Sequence, residues 1–241
     1  ELPADPALYA RTLLAAGYFE AVAFSAEDKR RAQLYQENAR RVALQAQAGD
    51  VDGYLASLNM ELTLAAFDDV GRARIAQLIN KSNQFNLTTR RYTETEVAAA
   101  ERDPDAFTLQ VRLTDSFGDN GMISVLICRR QDDAWDIDTW LMSCRVLGRK
   151  VEAAVLSELV SQARAAGVKR LLGRYLPTEK NQLVADHYEK LGFALLEQNA
   201  DGSSLWELRT DSAAPPASLP MKIRRIGRAQ AEPELERDLA S

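Results

Sequence analysis

Histidine, cysteine and long apolar runs are all scarce in this chain. Its single histidine, His187, leaves no obvious base for activating a thiol near neutral pH. The two cysteines, Cys128 and Cys144, fall on neighbouring predicted strands. Reduced thiols of a cytoplasmic protein are expected rather than a disulfide. The longest apolar runs are far too short to span a bilayer and no signal peptide opens the chain, so no membrane partner is expected. Lysine and arginine (30) are outnumbered by aspartate and glutamate (35), giving a net charge of −5. That balance argues against general nucleic-acid binding. An aspartyl phosphatase centre is missing as well. It needs an Asp-x-Asp pair at the end of an apolar strand, to attack phosphorus and hold Mg²⁺. Asp50-Val51-Asp52 and Asp103-Pro104-Asp105 lie in polar or Pro-broken segments, and Asp136-Ile137-Asp138 lies inside a strand. No metal site is expected.

What is present suits one sizeable core with extensions, since the chain has 241 residues. Residues 1 to about 50 read as helical, with Glu27 to Gln47 a charged amphipathic helix whose buried contacts are expected at Leu34, Tyr35 and Val42. A polar linker follows at Ala48 to Gly53. From Met60 a strand and a helix over Arg72 to Asn80 open an α/β module, and Thr93 with Glu96 forms a capping box for the next helix. Strands are predicted at Phe107 to Leu113, Gly121 to Cys128 and Trp135 to Ser143. Hairpin turns are expected at Gly118 to Gly121 and at Gln131 to Asp133. The spacing of Val151, Ala154, Val155, Leu159 and Ala163 predicts a long helix, and Val168 to Pro177 a strand. A further helix from Asn181 ends at Gly192, with Tyr188 on its inner face and His187 turned to the surface. The module spans about 58–210, and 211–241 reads as a flexible tail.

Three groups carry candidate chemistry. The first is the run Cys144-Arg145-Val146-Leu147-Gly148-Arg149-Lys150, between a strand and a helix N-terminus. Unpaired backbone N–H groups and the helix dipole make such a junction an anion cradle. Gly148 would admit a phosphate closely, and Arg145, Arg149 and Lys150 would add charge. An ordinary strand–helix junction is the competing reading. Cys144 is a candidate acyl carrier, because Arg145 and the helix N-terminus favour its thiolate; a small buried strand residue is the commoner fate. The second group, Asn83, Gln84, Asn86, Thr88, Arg90 and Arg91, suits a hydroxylated, phosphorylated small acid, amides reading hydroxyls and arginines reading phosphate or carboxylate. Asn and Thr also make turns and caps. The third is His187 beside Tyr188: histidine is the natural general base near neutral pH, but Tyr188 shares its face with Val184 and Leu191, which turns His187 outward.

The order strand, Arg-x-x-Gly loop, helix, strand, helix ending in Tyr188-x-x-x-Gly192-Phe193, strand resembles the Gcn5-related N-acetyltransferase (GNAT) fold. The resemblance implies a mixed sheet flanked by helices, with Arg145, Gly148, Arg149 and Lys150 holding a cofactor's phosphates. It places Asn181 and Tyr188 near a thioester, where the Tyr protonates the leaving thiolate. Lys150 stands where that family has Gly or Ala. A narrower resemblance rests on Asn80 to Val97, Phe117 to Ile127 and Ile137 to Glu152, which are similar to the C-terminal module of FkbH-like proteins. Pro3 to Arg41 is similar to the stretch that joins this module to a haloacid-dehalogenase (HAD) domain. Ser116 departs from that family's expected Arg. The resemblance implies an acyltransferase that loads a glyceryl unit from 1,3-bisphosphoglycerate onto an acyl carrier protein in polyketide-type biosynthesis. The phosphopantetheine arm of that carrier, or coenzyme A, would be the cofactor, and the HAD domain would lie upstream of Glu1. An acetyl-CoA-dependent N-acetyltransferase and a non-catalytic docking module are the alternatives.

Overall fold

The computed structural model describes residues 26–214, 216 and 218–227; in the first helix the side chains of residues 26–32, 34, 35 and 47 also lie outside the described residues. The chain divides into two units, Glu1–Ala43 and Leu44–Ser241. Of the first unit, residues 1–25 of the expected helical segment, and the side chains of Leu34 and Tyr35, lie outside the described residues. The rest belongs to helix α1 (Ala26–Gln47). Val42, expected to be buried, is 57% exposed.

In the second unit the supposed linker is partly helical. Asp50 caps α2 (Val51–Ser57), its Oδ1 accepting from the Gly53 amide at 2.6 Å. There follow β1 (Met60–Ala65), α3 (Arg72–Lys81), α4 (Glu94–Arg102), β2 (Ala106–Asp115), β3 (Gly118–Gln131), β4 (Ala134–Met142), α5 (Val151–Ala165), β5 (Arg170–Tyr175), the one-turn α6 (His187–Lys190), β6 (Ala194–Gln198), β7 (Ser204–Arg209) and β8 (Met221–Ile226). The strands form one mixed sheet in the order β6-β7-β5-β4-β3-β2-β1-β8. This is the α/β class with helices flanking a mixed sheet that the GNAT resemblance implies. The capping box at Thr93 and Glu96 forms as expected and starts α4.

Burial follows the patterns that make the elements. In β1 alternate residues Met60, Leu62 and Leu64 point inward, as a strand covered on one face requires. Every residue of β4 is buried, because helices cover both of its faces. On one face Ile75, Ile79 and Val97 of α3 and α4 pack with Val125, Ile127 and Leu141. On the other, Val151, Val155 and Leu159 of α5 pack with Trp135, Ile137 and Leu171. At about 1.5–3 kcal/mol for each large apolar side chain, that contact anchors α5 and fixes the loop before it.

Three boundaries differ from the sequence expectation. The β2–β3 turn is Ser116-Phe117, closed by Asp115 Oδ1 accepting from the Phe117 amide at 2.9 Å; Gly118 to Gly121 already belong to β3. Residues 221–226, expected within a flexible tail, pair in parallel with β1. Their charge disguised a strand whose Met221 and Ile223 pack on the core while Arg225 reaches Glu158 at 2.7 Å. The expected helix from Asn181 is broken into a 3-10 turn at Gln182–Val184 and the single turn of α6. Asn181 explains the break. Its Oδ1 accepts from the Thr178 amide at 2.7 Å, and its Nδ2 donates to the carbonyls of Leu176 at 2.9 Å and Asn86 at 3.0 Å. It ties loops together and caps no helix.

Candidate active site

The sheet opens where β4 and β5 diverge. These parallel strands pair from Ala134–Arg170 to Ile137–Gly173 and no further, although β4 runs on to Met142 and β5 to Tyr175. The pairing of β4 with β3 slips at the same point, Ile127 facing Thr139 and Cys128 facing Ile137, so Asp138 is an extra residue. A bulge bends its strand and sharpens the twist. Here it turns the end of β4 away from β5. Crevices outside the carboxyl ends of parallel strands are where open α/β sheets bind ligands.

The chain itself fills this fork. Phe85–Leu87 runs antiparallel to the free edge of β4: the Leu87 amide donates to the Trp140 carbonyl at 3.3 Å and the Met142 amide to the Phe85 carbonyl at 3.2 Å. On the other side the Leu176 amide donates to the Leu87 carbonyl at 2.9 Å. Asn181 holds the Asn86 carbonyl, and the Thr88 hydroxyl donates to the carbonyl of the bulge residue Asp138 at 2.8 Å. Phe85, Asn86 and Leu87 are buried. At about 1 kcal/mol net for each hydrogen bond and about 2 for each buried apolar side chain, this strap is held too firmly to open often by fluctuation.

Beneath the strap lies a group of polar atoms without partners. Trp140 Nε1, His187 Nε2 and the Tyr188 hydroxyl are buried and make no hydrogen bond with any described residue. The residues are 0%, 5% and 1% exposed. The rings touch: Trp140 and His187 centroids are 4.6 Å apart, His187 and Tyr188 5.5 Å, and Phe85 of the strap lies 4.9 Å from His187. The Arg174 backbone amide approaches the Tyr188 hydroxyl without completing a hydrogen bond. Each orphaned group destabilises this arrangement by about 1–3 kcal/mol, which opposes the strap. Burial lowers the His187 pKa to about 4, so the imidazole is neutral at physiological pH, and it raises that of Tyr188 well above its ordinary value. His187, expected at the surface, is thus part of the floor. The break before α6 lets two adjacent side chains both face inward. Gly173 is what admits Tyr188, because a Cβ there would collide with its ring.

The cationic loop is engaged differently. Cys144–Val146 forms a 3-10 turn, and Gly148 and Lys150 adopt left-handed backbone at φ of 74° and 60°. Arg149 is buried: it donates to Asp115 Oδ2 and to the Arg145 carbonyl, both at 3.0 Å. Lys150 Nζ meets Asp52 at 2.7 Å at the surface. Arg145 donates to Ser143 Oγ at 3.1 Å and the Asn120 carbonyl at 3.4 Å. The first turn of α5 carries Glu152, whose carboxyl has a buried unpartnered oxygen and a pKa raised by burial. A Cβ on Gly148 would meet nothing within 4 Å, so that side of the loop is open. Cys144 is exposed and Cys128 buried, and both are free thiols.

The polar cluster before β2 is divided. Asn86 and Thr88 are buried in the strap, Asn86 Oδ1 accepting from the Thr89 amide at 2.8 Å. Arg90 pairs with Asp138, which also accepts from the buried Tyr92 hydroxyl. Arg91 donates to the Ile79 carbonyl at 2.7 Å and to Asn83. Gln84 is exposed. The fork therefore brings Asn86, Thr88, Asn181 and Tyr188 together, while Arg149 and Arg91 are held in internal contacts. A cavity of about 570 Å³ on the outer side of α5, lined by Leu156, Arg164, Lys190 and Ala213, includes none of these residues. Among the described residues no cluster of metal-ligating side chains occurs and no helix is long and apolar enough to cross a membrane.

Three of the solved structures to which the chain is similar are the following. The ribosomal-protein-S18-alanine N-acetyltransferase from Escherichia coli is 15% identical with a TM-score of 0.47, covering 66% of this chain and 99% of its own. The GNAT domain of S. lividans PAT is 15% identical with a TM-score of 0.48, covering 61% and 89%. The yncA structure from Salmonella typhimurium, solved with its cofactor acetyl-CoA, is 17% identical with a TM-score of 0.45, covering 65% and 99%. No family profile matches the chain, and no curated protein does.

Trp140 is the site residue that motif reading passes over, and His187 is the one that an unbroken helix would turn outward. Their signal is compositional: the sole histidine stands beside the candidate Tyr188, and a Trp sits in the strand leading to the loop.

Proposed function

We propose that the second unit is a GNAT-like acyltransferase module that passes a glyceryl unit, derived from 1,3-bisphosphoglycerate, to the phosphopantetheine thiol of an acyl carrier protein. The observation that carries acyl transfer is the fork: parallel strands parted by a bulge, a glycine loop and helix N-terminus at the end of β4, and unsatisfied polar atoms in the floor. The glyceryl unit, the carrier partner and the HAD domain upstream rest on the sequence resemblance.

The cofactor fits this chain in part. Gly148 and Lys150 would hold its phosphate, since the loop face is open there and the exposed Lys150–Asp52 pair, worth under about 1 kcal/mol, yields readily. Arg149 stays with Asp115. The free backbone groups of Trp140 and Met142 would take the arm once Phe85–Leu87 yields them. The arm would supply the thiol; Tyr188 would offer its hydroxyl to the reacting end, and the backbone of β4 would orient the thioester. Coenzyme A presents the same arm, so acetyl transfer to an amine shares these contacts.

A second reading, a non-catalytic docking module, is favoured by one observation: the strap and the Arg149–Asp115 pair fill the places a cofactor would use. Intact-protein mass spectrometry separates the readings. The chain is mixed with holo carrier protein and a glyceryl donor, with and without the HAD domain. A glyceryl mass increment on the carrier supports transfer; none under either condition supports docking alone. Repeating the assay with Cys144→Ala decides whether that exposed thiol relays the acyl group. Normal loading is the expected result, because the chain's one histidine, His187, lies against Trp140 in the floor of the fork, and transfer would pass directly between donor and pantetheine thiol.

A further inference from the structure

The floor of the fork is built unlike an ordinary core. Trp140, His187 and Tyr188 are more than nine-tenths buried, their rings are in contact, and each has a polar atom with no partner among the described residues. Buried polar groups are nearly always satisfied, so three orphans in one place mark a site whose partner is not among the described residues. The kind of partner follows from the atoms. Trp Nε1–H donates only, a neutral imidazole nitrogen either donates or accepts, and a phenol does both. Formal charge is kept out: Asp136 is held by Arg174 at 3.2 Å and Asp138 by Arg90 and Tyr92, and His187 is neutral. A carboxylate or phosphate would be buried without a cation. An uncharged group with several hydroxyls satisfies every orphan.

Resting on the acyl-transfer reading, we infer that Trp140, His187 and Tyr188 form a recognition pocket for the hydroxyls of an uncharged hydroxyacyl group, which enters by exchange with the Phe85–Leu87 strap. Exchange suits the geometry. Phe85 lies edge-on against His187, so the side chain that leaves uncovers the imidazole. The backbone groups that the strap releases on Trp140 and Met142 are open to the amides of the incoming arm. The pocket then selects by hydrogen bonding: a site that expects a hydroxyl rejects the analogue lacking it more strongly than an apolar pocket rejects an extra methylene.

The sole histidine makes the test direct, because ring-labelled protein gives the signal of His187 alone. The full chain is titrated with S-glyceryl-N-acetylcysteamine and with its deoxy counterpart S-propionyl-N-acetylcysteamine. The His187 ring and Trp140 indole signals are followed by NMR, and transfer to holo carrier is measured in the same samples. The glyceryl thioester should shift both signals saturably, with an affinity at least about tenfold above that of the propionyl thioester. Trp140→Phe should shrink that ratio. Equal response to both thioesters, or no movement of His187 with either, overturns the pocket. The two readings fail separately: shifts without transfer leave the pocket standing and remove the catalysis, whereas transfer without shifts does the reverse.

Discussion

The loop before α5 and the fork of β4 and β5 hold opposite kinds of polar group. The loop is rich in charge, yet each of its cations has found a partner within the chain, Arg149 in a buried pair with Asp115 and Lys150 on Asp52. The floor of the fork is uncharged, and the polar atoms of Trp140, His187 and Tyr188 there have no partner among the described residues. Charge visible in sequence therefore marks the loop, and missing partners mark the fork. An arginine is recognised as functional by what it lacks rather than by its presence in a motif.

The largest effect expected from this contrast lies in the loop. Arg149→Met removes a buried guanidinium 3.0 Å from the Asp115 carboxylate and should destabilise the fold by about 3–5 kcal/mol in urea unfolding. A phosphate-binding Arg149 would instead lose affinity with stability intact, and that outcome erases the contrast.

Next is the fork's response to acid. The His187 pKa is about 4 in the folded chain and about 6.5 when unfolded. Between those values the unfolded chain binds more protons, so this contribution is complete above pH 6.5 and is lost as pH falls toward 4. It amounts to about 3 kcal/mol. Urea midpoints at pH 7 and 4.5 should therefore fall further for the parent chain than for His187→Phe. An equal fall in both would place the imidazole in water.

Gly173→Ala drives a methyl into the Tyr188 ring, and overpacking of this kind destabilises by about 1–3 kcal/mol. Thermal melts in which it matches the parent would show that the floor is loose. Smallest is Lys150→Ala, under about 1 kcal/mol, because its pair with Asp52 is solvent-exposed. A loss as large as that of Arg149→Met would invert the ranking within the loop.

Much of the fold was legible in periodicity. The α5 face at Val151, Val155 and Leu159 and the alternation in β1 specify buried faces directly. So does the capping box at Thr93, a local signal that needs no tertiary context. The strand β8 was not legible, because Arg224 and Arg225 give an edge strand the composition of a tail. The break at Asn181 was hidden for a different reason: its side chain is held by Asn86, far away in sequence. The site was legible only in part. Tyr188, Asn86 and Thr88 stand where sequence drew attention, but the bulge at Asp138 and the strap over His187 arise from strand register and long-range pairing. No local pattern encodes those.

Hydrogen exchange at the strap tests the central claim, that the fork is the ligand site, most directly. Amides of residues 82–91 and of Trp140 to Ser143 are followed in the full chain, alone and with saturating 4′-phosphopantetheine. The account predicts faster exchange in 82–91 as Phe85–Leu87 leaves, with Met142 still protected by the arm that replaces it. Unchanged exchange across 82–91, or protection appearing only around Leu156 and Arg164 at the outer face of α5, contradicts it.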